Sequence, residues 1–145
     1  MEDLERLLIE RECERLVVKY CHYVDHGEAS RIADLFTEDG VWHSAEATMN
    51  GVEEIRKGFG LREANAARMS RHVCNNFLVD ILDENHARGC VYLTLYRHDG
   101  DPDRKYSPLV GPVLVGEYRD DFLRTPEGWR IQRREVFVSF LGKGV

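Results

Sequence analysis

Apolar residues recur at spacings of three and four through the first 24 positions: Leu4, Leu7, Leu8, Cys13, Leu16, Val17, Tyr20, Cys21 and Val24. That period predicts an amphipathic helix, with Gly27 as its C-terminal stop. A second, short helix begins near Glu28 or Ser30 and turns Ile32, Ala33, Leu35 and Phe36 inward. Thr37-Glu-Asp-Gly40 predicts a turn, and Val41-Trp42-His43 a short strand. Asn50-Gly51 breaks the chain again. Residues 52–68 predict a third helix with Val52, Ile55 and Phe59 inward and Leu61 as a further candidate.

From Ser70 the period changes to two, and four strands are expected at about residues 71–82, 87–98, 110–124 and 128–140. Asp83-Glu-Asn85 joins the first two as a hairpin turn, and Thr125-Pro-Glu-Gly128 joins the last two. Pro108 and Pro112 suggest an irregular entry to the third strand, because proline cannot donate to a ladder. Helices first and antiparallel strands afterwards indicate an α+β fold. The helices should cover the concave face of a curved antiparallel sheet, making a cone with an open mouth and an internal cavity.

Composition narrows the function classes. The chain has 145 residues, 43% apolar and 32% charged, in keeping with a single globular domain over residues 1–145. A formal charge of −6 argues against a nucleic-acid footprint. The arginines of residues 130–134 are the nearest approach to one, and they fall in an expected strand. No apolar run is long enough to span a membrane, and the acidic opening Met1-Glu-Asp is unlike a signal peptide. Cytoplasmic location is the simplest expectation. Cys13, Cys21, Cys74 and Cys90 have no C-x-x-C spacing, so neither a zinc site nor a disulfide framework is expected. Cys13, Cys21 and Cys90 read as small buried apolar residues.

The chemistry-bearing pattern resembles the SnoaL-like branch of the nuclear-transport-factor-2-like superfamily. The resemblance rests on Tyr20…Tyr23-x-Asp25 and on Ile32-Ala-Asp-Leu-Phe-Thr-Glu-Asp-Gly-Val-Trp42. It continues with Gly51-x-x-x-Ile55, Arg71-His72-x-x-x-Asn76 and Gly128-Trp129-Arg-Ile131, and so covers nearly the whole chain. It implies a cystatin-like cone. In the scytalone-dehydratase, bile-acid-dehydratase and hexachlorocyclohexane-dehydrochlorinase relatives, an Asp at the end of the first helix pairs with a His on a long strand. Asp25 and His72 stand at those places, and Tyr20 matches a Tyr five residues before the Asp in the bile-acid type.

Each candidate also has a plainer reading. On an ideal helical projection Asp25 lies roughly 120° from the apolar centre, which alone would make it a flank or surface carboxylate. Period two places His72, Cys74 and Asn76 on one strand face, with Val73, Asn75, Phe77, Val79 and Ile81 on the other. A strand histidine is often structural. The resemblance implies instead that His72 takes a substrate proton while Asp25 fixes its tautomer. Tyr20 is a core tyrosine or a hydroxyl aimed into the cavity. Tyr23 and Trp42 are candidate pocket walls and Asn76 a candidate substrate contact; Tyr92 and Tyr96 share a strand face and either line the cavity or pack within the sheet. Arg133 or Arg134 could reach the mouth. His22 and His26 form an i,i+4 pair without a third ligand, so exposure is expected. Cys74 lies too far along the strand from His72 to be its nucleophile.

The resulting expectation is a cofactor-independent, metal-free lyase or isomerase acting on a small apolar, cyclic substrate. Alternatives are a non-catalytic binding or assembly module and the small subunit of a ring-hydroxylating dioxygenase. The family resemblance implies a homodimer or homotrimer packed through exposed sheet faces; the alternating apolar positions Val113, Val115, Ile131 and Phe137 suit either such a contact or the core.

Overall fold

The structure is a computed structural model and describes residues 1–143. Helix α1 spans Asp3–Asp25 and is followed by a 3-10 helix, Ala29–Leu35. Strands β1 (Phe36–His43) and β2 (Thr48–Asn50) precede helix α2 (Val52–Ala64). Four long strands complete the chain: β3 (Arg68–Ile81), β4 (His86–Asp99), β5 (Leu114–Thr125) and β6 (Gly128–Leu141). They form one sheet in the order β2-β1-β6-β5-β4-β3. The sheet is mixed rather than antiparallel throughout, because β1 runs parallel to β6. The α+β architecture is the expected one: the helices pack against a curved, unclosed sheet.

Several boundaries move. The expected turn at residues 37–40 lies within β1, as an irregularity where Phe36 faces Ile131 but Val41 already faces Arg133. Helix α2 stops at Ala64 rather than residue 68, and Leu61 is exposed. The third long strand starts at Leu114 rather than residue 110, so Pro108 and Pro112 lie in the loop before it. Leu4, Leu7 and Leu8 continue the apolar spacing but are solvent-exposed, since the first two turns of α1 carry no buried residue before Ile9.

The core lies between the helices and the inner sheet face. Cys13, Leu16, Val17, Tyr20 and Val24 of α1 pack with Ile55 and Phe59 of α2 against Val91, Leu93, Tyr118, Phe122 and Ile131. Burial of each large apolar side chain contributes about 1.5–3 kcal/mol. Ile131 is thus a core residue with no exposure, not an outer contact.

Two bulges explain which strand residues face inward. In β3, Asn75 faces Tyr92 and Leu78 faces Cys90, so Asn76 and Phe77 together oppose Val91. Asn76 has φ 56°, a left-handed conformation that asparagine tolerates better than most residues. The bulge reverses the alternation, so His72 and Cys74 share the inner face with Phe77, Val79 and Ile81. In β6, Arg133 faces Asp121 while Ile131 faces Phe122, leaving Gln132 as the extra residue. Trp129 and Ile131 therefore point inward, and so does Arg134.

Candidate active site

Asp25 is the last residue of α1, and Gly27 turns the chain away with φ 76°. One helical turn earlier on the same side, the Cys21 thiol lies 3.4 Å from the Cys74 thiol of β3. Residues four apart share a helix side. The Cys21–Asp25 row therefore faces β3 while Cys13, Tyr20 and Val24 face the core. The apolar projection described only the second of these contacts, which is why it left Asp25 outside.

The Asp25 carboxylate is fully engaged by β3. Oδ1 accepts from the His72 ring at Nδ1, 2.7 Å away, and from the Ser70 hydroxyl, also 2.7 Å away. Oδ2 accepts from the His72 backbone N–H at 2.7 Å. The Ser70 hydroxyl in turn accepts from Arg62 Nη2 at 3.0 Å. Side-chain exposure is 5% for Asp25 and 12% for His72, so water screens the pair little. Burial alone would raise the Asp25 pKa. The hydrogen bond and charge of the His72 ring, with the His72 N–H and the Ser70 hydroxyl, outweigh it and hold the carboxyl below its ordinary value.

An ionised carboxylate only accepts, so Nδ1 of a neutral His72 carries the proton and Nε2 keeps its lone pair. His72 lines a cavity of about 360 Å³ between the helices and the sheet. Its apolar walls include Val24, Met49, Phe59, Leu93, Leu95, Leu114 and Val136. Tyr20, Trp42 and Tyr118 add aromatic surface. The Tyr20 ring stands edge-on to His72 with centroids 6.4 Å apart. Its hydroxyl accepts from Trp42 Nε1 at 3.1 Å, which leaves the phenolic proton free to donate. Burial pushes the Tyr20 pKa up against the opposing charge of Arg134, so the phenol stays protonated.

Behind Tyr20 and Tyr118 lies a fully buried ion pair. Arg134 donates from Nε and Nη2 to the two Asp120 oxygens, each at 2.8 Å. Its Nη1 has no hydrogen-bond partner among the described residues. The guanidinium carbon lies 4.4 Å from the Tyr20 ring centroid and 4.0 Å from that of Tyr118, so ring faces take the place of an acceptor. Burial pulls the Arg134 pKa down, but the Asp120 charge and hydrogen bonds outweigh it and raise it.

The other sequence candidates lie elsewhere. Asn76 is exposed on the bulge and does not line the cavity, because the bulge and not simple alternation sets its direction. Tyr23 is not a cavity wall; it packs beneath Arg31, 4.5 Å from its ring centroid. Tyr96 and Tyr92 belong to the outer face, since Leu93 and Leu95 occupy the inner positions of β4. Tyr96 lines a neighbouring groove with Met69, Arg71 and Tyr106, which shares Ser70 and Arg97 with the cavity. Arg134 rather than Arg133 points inward, but beneath the cavity rather than at its mouth. Cys90 is half-buried on the outer face and donates to Glu117 Oε2 at 3.1 Å. His22 and His26 are exposed, with stacked rings. No group of three or more metal-ligating side chains occurs among the described residues.

Sequence reasoning missed Ser70 and Arg62. Ser70 shares the inner face with His72 by period two, so a buried hydroxyl there was a usable signal. Nothing in the helical pattern pointed Arg62 towards Ser70.

A protein from Novosphingobium aromaticivorans provisionally named scytalone dehydratase is similar, with TM-score 0.80 at 19% identity, covering 99% of each chain. A hexachlorocyclohexane dehydrochlorinase from Novosphingobium barchaimii is similar at TM-score 0.76 and 15% identity, over 99% of this chain and 97% of that one. A protein from Novosphingobium aromaticivorans described as NTF2-like with a cystatin-like fold reaches TM-score 0.76 at 27% identity, over 97% of this chain and 86% of the other. No curated protein sequence matches. No helix among the described residues is long and apolar enough to cross a membrane. The family model for the SnoaL-like domain matches residues 5–135, and the chain belongs to that family.

Proposed function

We propose that this protein is a lyase or isomerase that removes a carbon-bound proton from a small, largely apolar, cyclic substrate. The observation that carries this reading is the 2.7 Å contact between Asp25 and Nδ1 of His72, whose side chain lines the cavity. It leaves Nε2 as an oriented base facing an apolar space. The dehydratase- and dehydrochlorinase-like neighbours support eliminations as the reaction class.

The step follows from the groups present. His72 Nε2 takes the proton, and the C–H electron pair moves into a new carbon–carbon double bond. That bond expels hydroxide or halide from the neighbouring carbon, or leaves an enolate that is reprotonated elsewhere. Asp25 stabilises the imidazolium formed at His72. The Tyr20 hydroxyl, already bonded to Trp42, donates to a carbonyl or a leaving oxygen on the substrate. The side chains of Asp25 and His72 are largely buried, so these charge interactions are stronger than they would be in solvent.

The test is a screen of hydroxy- and halo-substituted ring compounds with wild type and His72→Ala. Turnover by wild type and a loss of at least about 100-fold in the variant is expected. Equal rates in the two proteins would remove the assignment.

A further inference from the structure

We infer that the cavity takes a substrate carrying a carboxylate or equivalent anionic oxygen group, held at the rim by the guanidinium groups of Arg97 and Arg62. This rests on the proposed substrate-binding role of the cavity and adds a charge to the substrate.

The walls of the cavity are apolar, but its polar lining is dominated by arginine: Arg62, Arg68 and Arg97, with Glu46, Ser44 and Ser70. The protein as a whole carries −6, so this local balance is not a reflection of composition. The three arginines differ in how they are engaged. Arg68 donates bidentately to Asp99, at 2.9 and 3.0 Å, and is neutralised. Arg62 uses Nη2 for Ser70 and the Arg68 carbonyl, leaving Nε and Nη1 without partners among the described residues. The Arg97 side chain makes no ion pair or hydrogen bond among the described residues, although the charges of Asp99 and Glu46 act on it. Partial burial lowers the pKa of Arg97, and the neighbouring charge of Arg68 adds to this. Glu46 is the remaining carboxylate of the lining; it is exposed and bonded to neither arginine.

The strand register places this cationic rim relative to the base. Ser70 faces Arg97 and His72 faces Leu95 across the β3–β4 ladder. Leu93, Leu95 and Arg97 alternate onto the inner face of β4. Arg97 therefore sits about 7 Å along the wall from the position opposite His72. A ring against Leu93, Leu95 and Phe59 would present one edge to His72 and an anionic substituent to Arg97 and Arg62. Guanidinium groups with free N–H forks match carboxylate geometry.

The probes are 2-naphthoate and its neutral isostere 2-naphthamide, titrated while following tryptophan fluorescence, since Trp42 lines the cavity. Wild type should bind the carboxylate at least about tenfold more tightly than the amide. The preference should shrink as salt rises. Arg97→Gln should abolish most of the preference with little effect on amide binding, Arg97→Lys should keep part of it, and Arg133→Gln on the outer face should keep all of it. His72→Asn should also keep the preference, which separates this inference from the proton-transfer reading. Equal affinity for the two probes in wild type, saturable binding of neither, or a preference unchanged in Arg97→Gln folded as judged by circular dichroism, would overturn the inference.

Discussion

The Asp25 carboxylate holds His72 twice, at the ring Nδ1 and at the backbone N–H, each at 2.7 Å. Ring orientation and tautomer are thereby set by one side chain at the end of a helix. Asp25→Asn should therefore lower the rate of proton abstraction by about 10²–10⁴-fold, because a neutral amide neither fixes the Nδ1–H tautomer nor stabilises the imidazolium. Nitrogen-detected NMR of His72 checks the cause: neutral wild type should show protonated Nδ1, and the variant a mixture. A variant with wild-type rate would contradict the role given to Asp25.

The same contact makes stability depend on pH. The folded protein holds the Asp25 carboxyl below its ordinary value of 3.8. Its folded state thus binds the proton less readily than the unfolded chain does. The stabilisation is fully present above the unfolded pKa and is lost as pH falls through the folded value. Urea unfolding of wild type and Asp25→Asn should show a stability gap that is wide near neutral pH and narrows below about pH 4. A gap that widens on acidification would reverse the sign and contradict the account.

Tyr20→Phe removes only a hydroxyl, leaving Trp42 Nε1 without its acceptor. Loss of about 1–3 kcal/mol of stability is expected from that unpaired donor. Turnover should fall by about 10–100-fold if the phenol donates to substrate oxygen. Unchanged turnover with reduced stability would make Tyr20 a core residue alone.

The Arg134–Asp120 pair is completely buried. Asp120→Ala leaves a buried cation against two aromatic rings and should cost about 3–5 kcal/mol in urea unfolding. Replacing both, as Asp120→Leu with Arg134→Met, should recover much of that loss. A cost below about 1 kcal/mol for the single change would mean that the pair does not hold the cavity floor.

Much of the fold was legible because the periods are strong: three and four in α1, two from Ser70 onward. The family pattern, not periodicity, pointed to Asp25 and His72. Helical projection could not place Asp25 because α1 has two contact sides, one for the core and one for β3. Alternation misplaced Asn76, and it set Phe77, Val79 and Ile81 opposite His72, because a bulge has no strong sequence signal. Tyr92 and Tyr96 do share a strand face, but alternation alone does not say which one, and Leu93 and Leu95 fill the inner face. Asn76→Gly, compatible with φ 56°, should leave stability near wild type and turnover within about twofold. Asn76→Val should cost about 1–2 kcal/mol from the left-handed backbone. A marked loss of turnover in a stable Asn76→Gly protein would return Asn76 to the substrate site.

The central claim is that His72, oriented by Asp25, takes a proton from carbon. Deuterium incorporation from D2O into 2-tetralone, followed by NMR, reads that step without requiring a leaving group. Wild type should accelerate exchange at the acidic carbon well above buffer, and His72→Ala should exchange at the buffer rate. Exchange by His72→Ala as fast as by wild type would contradict the claim.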